Sequence, residues 1–77
     1  MIWSLNFGDG TSQTCWEGEE LAVYVGSSLR MGRVNSLTAQ RIRDEIVQGR
    51  YVRVMRPSKH GGEVPRVVHS VTEKLGS

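Results

Sequence analysis

One stretch of the chain has the residue spacing of an α-helix, and the stretches on both sides of it have the spacing of β-strands. Apolar residues recur along one side of this stretch at helical spacing: Ala39, Ile42 and Ile46. Thr38 is suited to cap the N-terminus, with Leu37 and Ile42 spaced for a hydrophobic staple, and Gly49 is suited to end the helix. We therefore predict a helix over about residues 38–48 that packs by a narrow apolar stripe.

Strand patterns come before and after this helix. Residues 2–7 alternate between apolar and polar side chains, and residues 8–12 are rich in turn formers, so residues 2–16 are predicted to form a hairpin. Residues 51–56 and 64–72 are predicted to form a second hairpin, joined by a loop that contains two adjacent glycines. Pro65 is expected at a strand start or on an edge, because it has no amide hydrogen to donate.

Residues 17–34 fit two structures. Their apolar residues are compatible with the stripe of an amphipathic helix and also with two strands around a turn. The run Gly26-Ser27-Ser28 favours the strands, because it would be a poor helix centre. We predict an α+β fold in one domain over residues 1–77, with an antiparallel sheet of four or five strands and the helix packed on one face.

Composition and cysteine content exclude several classes of protein. No apolar run approaches the roughly 20 residues of a membrane helix, and residues 1–6 lack the features of a secretion signal. Cys15 is the single cysteine, so it cannot form an internal disulfide, and it is predicted to be a packing residue. We therefore predict a cytoplasmic protein without a membrane partner.

Nothing in the sequence indicates catalysis. The chain has no P-loop, nucleophile elbow or zinc-binding helix motif. His60 and His69 could approach each other across a hairpin, but two histidines without a third ligand are a weak indication of a metal site. We predict that the protein is not an enzyme and holds no metal or cofactor.

Charge is distributed unevenly along the chain. Residues 1–29 hold four acids and no Lys or Arg, whereas residues 30–77 hold ten Lys and Arg against four acids, which gives +6. Eight of the ten cations are arginine, whose planar fork suits phosphates, carboxylates and aromatic faces. The C-terminal half is therefore predicted to meet an anionic partner.

The predicted partner-binding residues follow the second hairpin. They are Arg50, Tyr51, Arg53, Arg56, Lys59, His60 and Arg66. Tyr51 is the aromatic residue interleaved with these cations, and a basic, glycine-tipped hairpin can follow a phosphate backbone or meet acidic side chains. The alternative is that these charges are solvated and protect an edge strand from aggregation.

These features predict a small non-enzymatic binding or regulatory protein. It would dock through its arginine-rich half on an acidic protein surface or a nucleoprotein complex. Small chains of this character are common among phage- and plasmid-encoded regulators, of which an anti-CRISPR-like inhibitor is one concrete form. Two alternatives stay open: a DNA- or RNA-binding accessory protein, and a small virion or assembly component. The oligomeric state is not predicted.

Overall fold

The computed structural model describes residues 1–57, 61 and 63–74, and this part of the chain forms one helix and six strands. The elements are β1 (Ile2–Phe7), β2 (Ser12–Trp16), β3 (Glu20–Val25), β4 (Ser28–Arg33), α1 (Ser36–Val47), β5 (Val52–Met55) and β6 (Arg66–Lys74). The α+β class is confirmed. The expected number of strands was too low, since six strands rather than four or five form the sheet.

The extra strand comes from residues 17–34, which form the β3–β4 hairpin. Six residues of each strand pair in unbroken antiparallel register, from Glu20 opposite Arg33 to Val25 opposite Ser28. Gly26 opens the two-residue turn with φ 59°, and no non-glycine residue in the described ranges has a positive φ. This combination is a type II′ turn, whose twist matches that of the strands it joins. The strand interpretation of this stretch is confirmed.

All strand pairs are antiparallel, and the order across the sheet is β2-β1-β6-β5-β3-β4. Six residue pairs join β1 to β6, starting with Ile2 opposite Lys74. β6 pairs with β1 over most of its length and with β5 only near Arg66 and Val67. The predicted second hairpin therefore exists, but only a short part of it is paired as β5–β6.

The sheet must be strongly curled. β2 and β3 are four strand spacings apart in the sheet order, which is about 19 Å in a flat sheet. Residues 17–19 alone connect these two strands, and the chain from Trp16 to Glu20 can span at most about 14 Å. Curling also explains why the Arg56 side chain, just after β5, reaches the backbone of Thr14 on β2.

The helix begins earlier than predicted. Its N-cap is Asn35, whose side-chain oxygen accepts a hydrogen bond from the Thr38 amide at 2.8 Å, so Thr38 is not the cap. Leu37 is 62% exposed, and the predicted staple is therefore wrong. Gly49 follows the C-cap with φ 81°, as expected of a residue that ends a helix. Within the described ranges, no helix has both the length and the apolar content needed to cross a bilayer.

The core lies between α1 and the concave face of the sheet. Its buried residues come from both hairpins, β5, β6 and α1: Trp3, Leu5, Phe7, Cys15, Leu21, Val34, Ala39, Ile42, Val52, Val54, Val68 and Val71. The helix contacts β6 and β5. This placement leaves the inner face of the β3–β4 hairpin partly uncovered beside α1.

Candidate functional site

The uncovered space beside α1 is a groove of about 690 Å³, which we call the α1–β4 groove. Its lining residues come from the hairpin, the helix and the segment after the helix: Val23, Val25, Gly26, Ser28, Arg30, Met31, Gly32, Thr38, Arg41, Ile42, Glu45, Arg50 and Tyr51. It is far larger than a second cavity of about 10 Å³, which lies under the helix beside Trp3 and Ala39.

Both ends of the groove are fixed by hydrogen bonds. At one end, the Thr38 hydroxyl donates to the Arg33 carbonyl at 2.7 Å, which holds the start of α1 against the end of β4. At the other end, the Gly26 amide donates to the Tyr51 carbonyl at 2.9 Å, shortly after α1 ends. The helix and β4 therefore run side by side in opposite directions. A helix of 12 residues gives the groove a length of about 18 Å.

The floor of the groove is apolar and its charged side chains are mostly arginines. Val23 and Ile42 belong to the floor, and Glu45 is the acid among the lining residues. Glu45 is already neutralised, because its carboxylate accepts from the Arg50 guanidinium at 2.7 Å. Arg30 and Arg41 have neither an ion pair nor a hydrogen bond to any described residue. The groove therefore combines apolar surface with two uncompensated positive charges.

The predicted partner-binding residues are spread over several surfaces. Arg50 and Tyr51 line the α1–β4 groove, and Tyr51 is 57% exposed. Arg53 lies on the opposite, outer face of the sheet, with its guanidinium 5.2 Å from the centre of the Tyr24 ring and 5.6 Å from that of Tyr51. Lys59 and His60 lie outside the described residues.

Arg56 and Arg66 both contact acids of the N-terminal third. Arg56 lies 3.5 Å from Glu19, and Arg66 lies 2.7 Å from Asp9. Arg66 also stacks on the Phe7 ring, with its guanidinium 4.1 Å from the ring centre. The fold thus brings part of the acidic N-terminal third onto the basic half, and a partner contact through these two arginines stays a prediction.

The Asp9 carboxylate gives a test of this internal arrangement. Hydrogen bonds from the Thr11 hydroxyl and amide, and then from Arg66, lower its pKa from 3.8 to about 2. Because the folded pKa is depressed, the associated stabilisation is present above about pH 4 and is lost as the pH falls through 2. Thr11→Ala should raise the Asp9 midpoint towards 3.8, because it removes the largest of these contributions, and Arg66→Gln should also raise it, as measured by carboxyl NMR. Ser12→Ala is the control, and an unchanged midpoint in Thr11→Ala would contradict the assignment.

Arg30 and Arg41, which have no ion pair with a described residue, were missed by sequence reasoning. Arg41 lies outside the apolar stripe of the helix, so its position in the sequence indicated no contact. Arg30 alternates with Leu29 and Met31 on β4, and this alternation was a usable signal for placing it on the face opposite those apolar residues. The sequence could not show that this face lies beside the helix.

Other chemistry in the described ranges is sparse. No group of three or more His, Cys, Asp or Glu among these residues is arranged to hold a metal ion. Cys15 is a buried core residue, as predicted, and burial raises the pKa of its thiol. Comparison with protein-family models, curated proteins and solved structures returned no significant match. The function is therefore argued from the α1–β4 groove.

Proposed function

We propose that this chain is a non-enzymatic binding protein that docks, through the α1–β4 groove, on an acidic segment of a larger partner protein. The observation that carries the proposal is the pair Arg30 and Arg41, which lie beside an apolar floor without an acidic partner in the described ranges. A protein that captures one segment of a larger assembly acts stoichiometrically. A regulator or inhibitor, of which an anti-CRISPR-like protein is one form, would work in this way.

The chemistry of the groove favours a peptide over a nucleic-acid duplex. A peptide can supply carboxylates to the arginine forks and, at the same time, apolar side chains to the exposed Leu29 and Met31 of β4. A duplex offers the groove phosphates but buries little apolar surface, and its binding depends on several cations that neutralise phosphates together. In the predicted basic hairpin, Arg50, Arg56 and Arg66 are each already paired with an acid.

A fluorescence anisotropy titration tests the proposal. The probe is a labelled octapeptide of four Glu-Val repeats, which is both acidic and apolar. Arg30→Gln and Arg41→Gln should each weaken binding about tenfold, as expected for loss of one charge-assisted contact. Lys74→Gln is the control for net charge, because Lys74 is exposed on β6, lies outside the groove and carries the same charge.

Two outcomes would contradict the proposal. If Lys74→Gln weakened binding as much as Arg30→Gln and Arg41→Gln, the attraction would be a property of net charge and not of the groove. If a short DNA duplex bound more tightly than about 1 μM near physiological salt, the nucleic-acid-binding alternative would rank first, because ordinary non-specific binding is no tighter than that.

A further inference from the structure

We propose that the acidic partner segment binds as an added strand, running antiparallel along the free edge of β4, so that the sheet of six strands becomes one of seven. This inference rests on the proposed function and deepens it by naming the conformation of the partner and the pattern of its side chains.

The first observation is the set of backbone groups that β4 leaves unpaired. β4 is the last strand of the sheet and pairs only with β3 among the described elements. The Val34 amide donates to the Glu19 carbonyl, and hydrogen-bonded pairs alternate along an antiparallel ladder. By this alternation, the amides and carbonyls of Leu29 and Met31 point away from β3. No hydrogen bond from a described residue reaches them.

The second observation is that β4 lacks the protection found on the other edge of the sheet. On β2, the Thr14 carbonyl faces outward and accepts a hydrogen bond from Arg56 at 3.1 Å, so an internal side chain occupies that edge. β4 has no proline and no break in register. A regular, uncovered edge strand of this kind is a template for another strand.

The third observation is the chemistry of the two faces that an added strand would extend. Arg30 lines the α1–β4 groove on one face. On the outer face, Leu29 is 51% exposed and Met31 is 57% exposed. Directly opposed residues in a sheet share a face. An added strand would therefore place acidic side chains opposite Arg30 and apolar side chains opposite Leu29 and Met31.

Charge favours a partner protein over a second copy of this chain. β4 contains two arginines, Arg30 and Arg33, and no acid. Arg33 pairs with Glu20 of β3 at 3.8 Å, so Arg30 is the β4 cation that has no ion pair with a described residue. Two copies joined through β4 would bring two Arg30 side chains together without supplying a carboxylate to the groove. An acidic segment supplies that carboxylate and leaves no like charges opposed.

Alternate backbone methylation of the octapeptide tests the strand geometry. Two isomers are compared, one with N-methyl groups on the valines and one with them on the glutamates. In the added strand the valine amides face β4, since valine lies opposite Leu29 and Met31. The valine-methylated isomer should bind at least tenfold more weakly than the parent peptide, and the glutamate-methylated isomer within about threefold of it. The two isomers have the same composition, charge and number of methyl groups.

A variant of the protein gives an independent measurement. Met31→Pro removes an outward amide that makes no hydrogen bond within the described sheet, so the fold should persist by circular dichroism. It should weaken peptide binding about tenfold. In the unsubstituted chain, hydrogen exchange at Leu29 and Met31 should slow when the parent peptide is added.

The outcomes separate this inference from the proposed function. Equal affinities of the two methylated isomers, with Arg30→Gln still weaker than Lys74→Gln, would overturn strand addition and leave the groove proposal intact. Absence of any difference between Arg30→Gln and Lys74→Gln would instead overturn the groove proposal. Unchanged exchange at Leu29 and Met31 in the peptide complex would also overturn strand addition.

Discussion

Ile42→Ala should destabilise the protein by about 2–5 kcal/mol, because it removes a buried side chain and leaves a cavity under the helix. Ile42 is 3% exposed and packs in the core between α1 and the sheet. Total stability for this length is about 4–8 kcal/mol, so this single change should unfold a large share of the molecules near 37 °C. Urea denaturation followed by circular dichroism measures the loss.

Arg41→Ala is the control for this measurement. Arg41 precedes Ile42 on the same helix, and it makes no ion pair or hydrogen bond with a described residue. Its truncation should change the free energy of unfolding by less than about 0.5 kcal/mol. Similar losses from Ile42→Ala and Arg41→Ala would mean that the face of the helix assigned to the core is wrong.

Trp3→Ala should have an even larger effect, about 3–5 kcal/mol. Trp3 is 3% exposed on β1, and the Arg43 guanidinium of α1 lies 5.7 Å from the centre of its ring. Arg43 also donates to the Val71 carbonyl of β6 at 3.0 Å. Removing the indole would therefore leave a cavity in the core beside β1. It would also remove the contact between Trp3 of β1 and Arg43 of α1.

Trp3→Phe separates packing from hydrogen bonding at this position. The indole N–H of Trp3 is buried and finds no acceptor among the residues that the structure describes. Phenylalanine therefore loses volume but no hydrogen bond, and the expected cost is about 1–2 kcal/mol. A loss from Trp3→Phe as large as that from Trp3→Ala would show that the N–H has a partner after all. Thermal and urea unfolding of both variants decide the point.

Local elements of this fold were largely readable from the sequence. The alternation of residues 2–7, the turn at Gly26 and the stripe through Ala39 and Ile42 each reflect short-range chemistry, and each produced the expected element. The helix cap was misassigned because Asn35 and Thr38 both have capping side chains. Tertiary structure decided between them, since the Thr38 hydroxyl is used to hold β4.

The order of the strands was not readable. Antiparallel pairing of β1 with β6 depends on shape and packing over nearly the whole chain, and no local pattern reports it. The same limit applies to the α1–β4 groove. The groove exists because α1 packs on β6 and β5 and leaves β3 and β4 uncovered. The position of α1 over the sheet depends on the assembled core.

The charge asymmetry of the sequence was only partly informative about the site. It predicted that arginines of the C-terminal half would meet anions, and Arg56 and Arg66 do meet carboxylates, but these belong to Glu19 and Asp9 of the same chain. The order of charged residues along the sequence cannot show which acids and bases the fold brings into contact. Contact of the predicted residues with a partner stays a prediction.

The pairing of β1 with β6 also affects how the chain is made. At ribosomal speeds of about 5–20 residues per second, β6 is synthesised roughly 3–15 s after β1. During that interval the β1–β2 hairpin can form, but the strand that shields the other side of β1 does not yet exist. Closure of the sheet is therefore a late event. A chain dominated by such distant contacts should fold in milliseconds to seconds rather than microseconds, and the nascent hairpin is the stage most exposed to mispairing or to a chaperone.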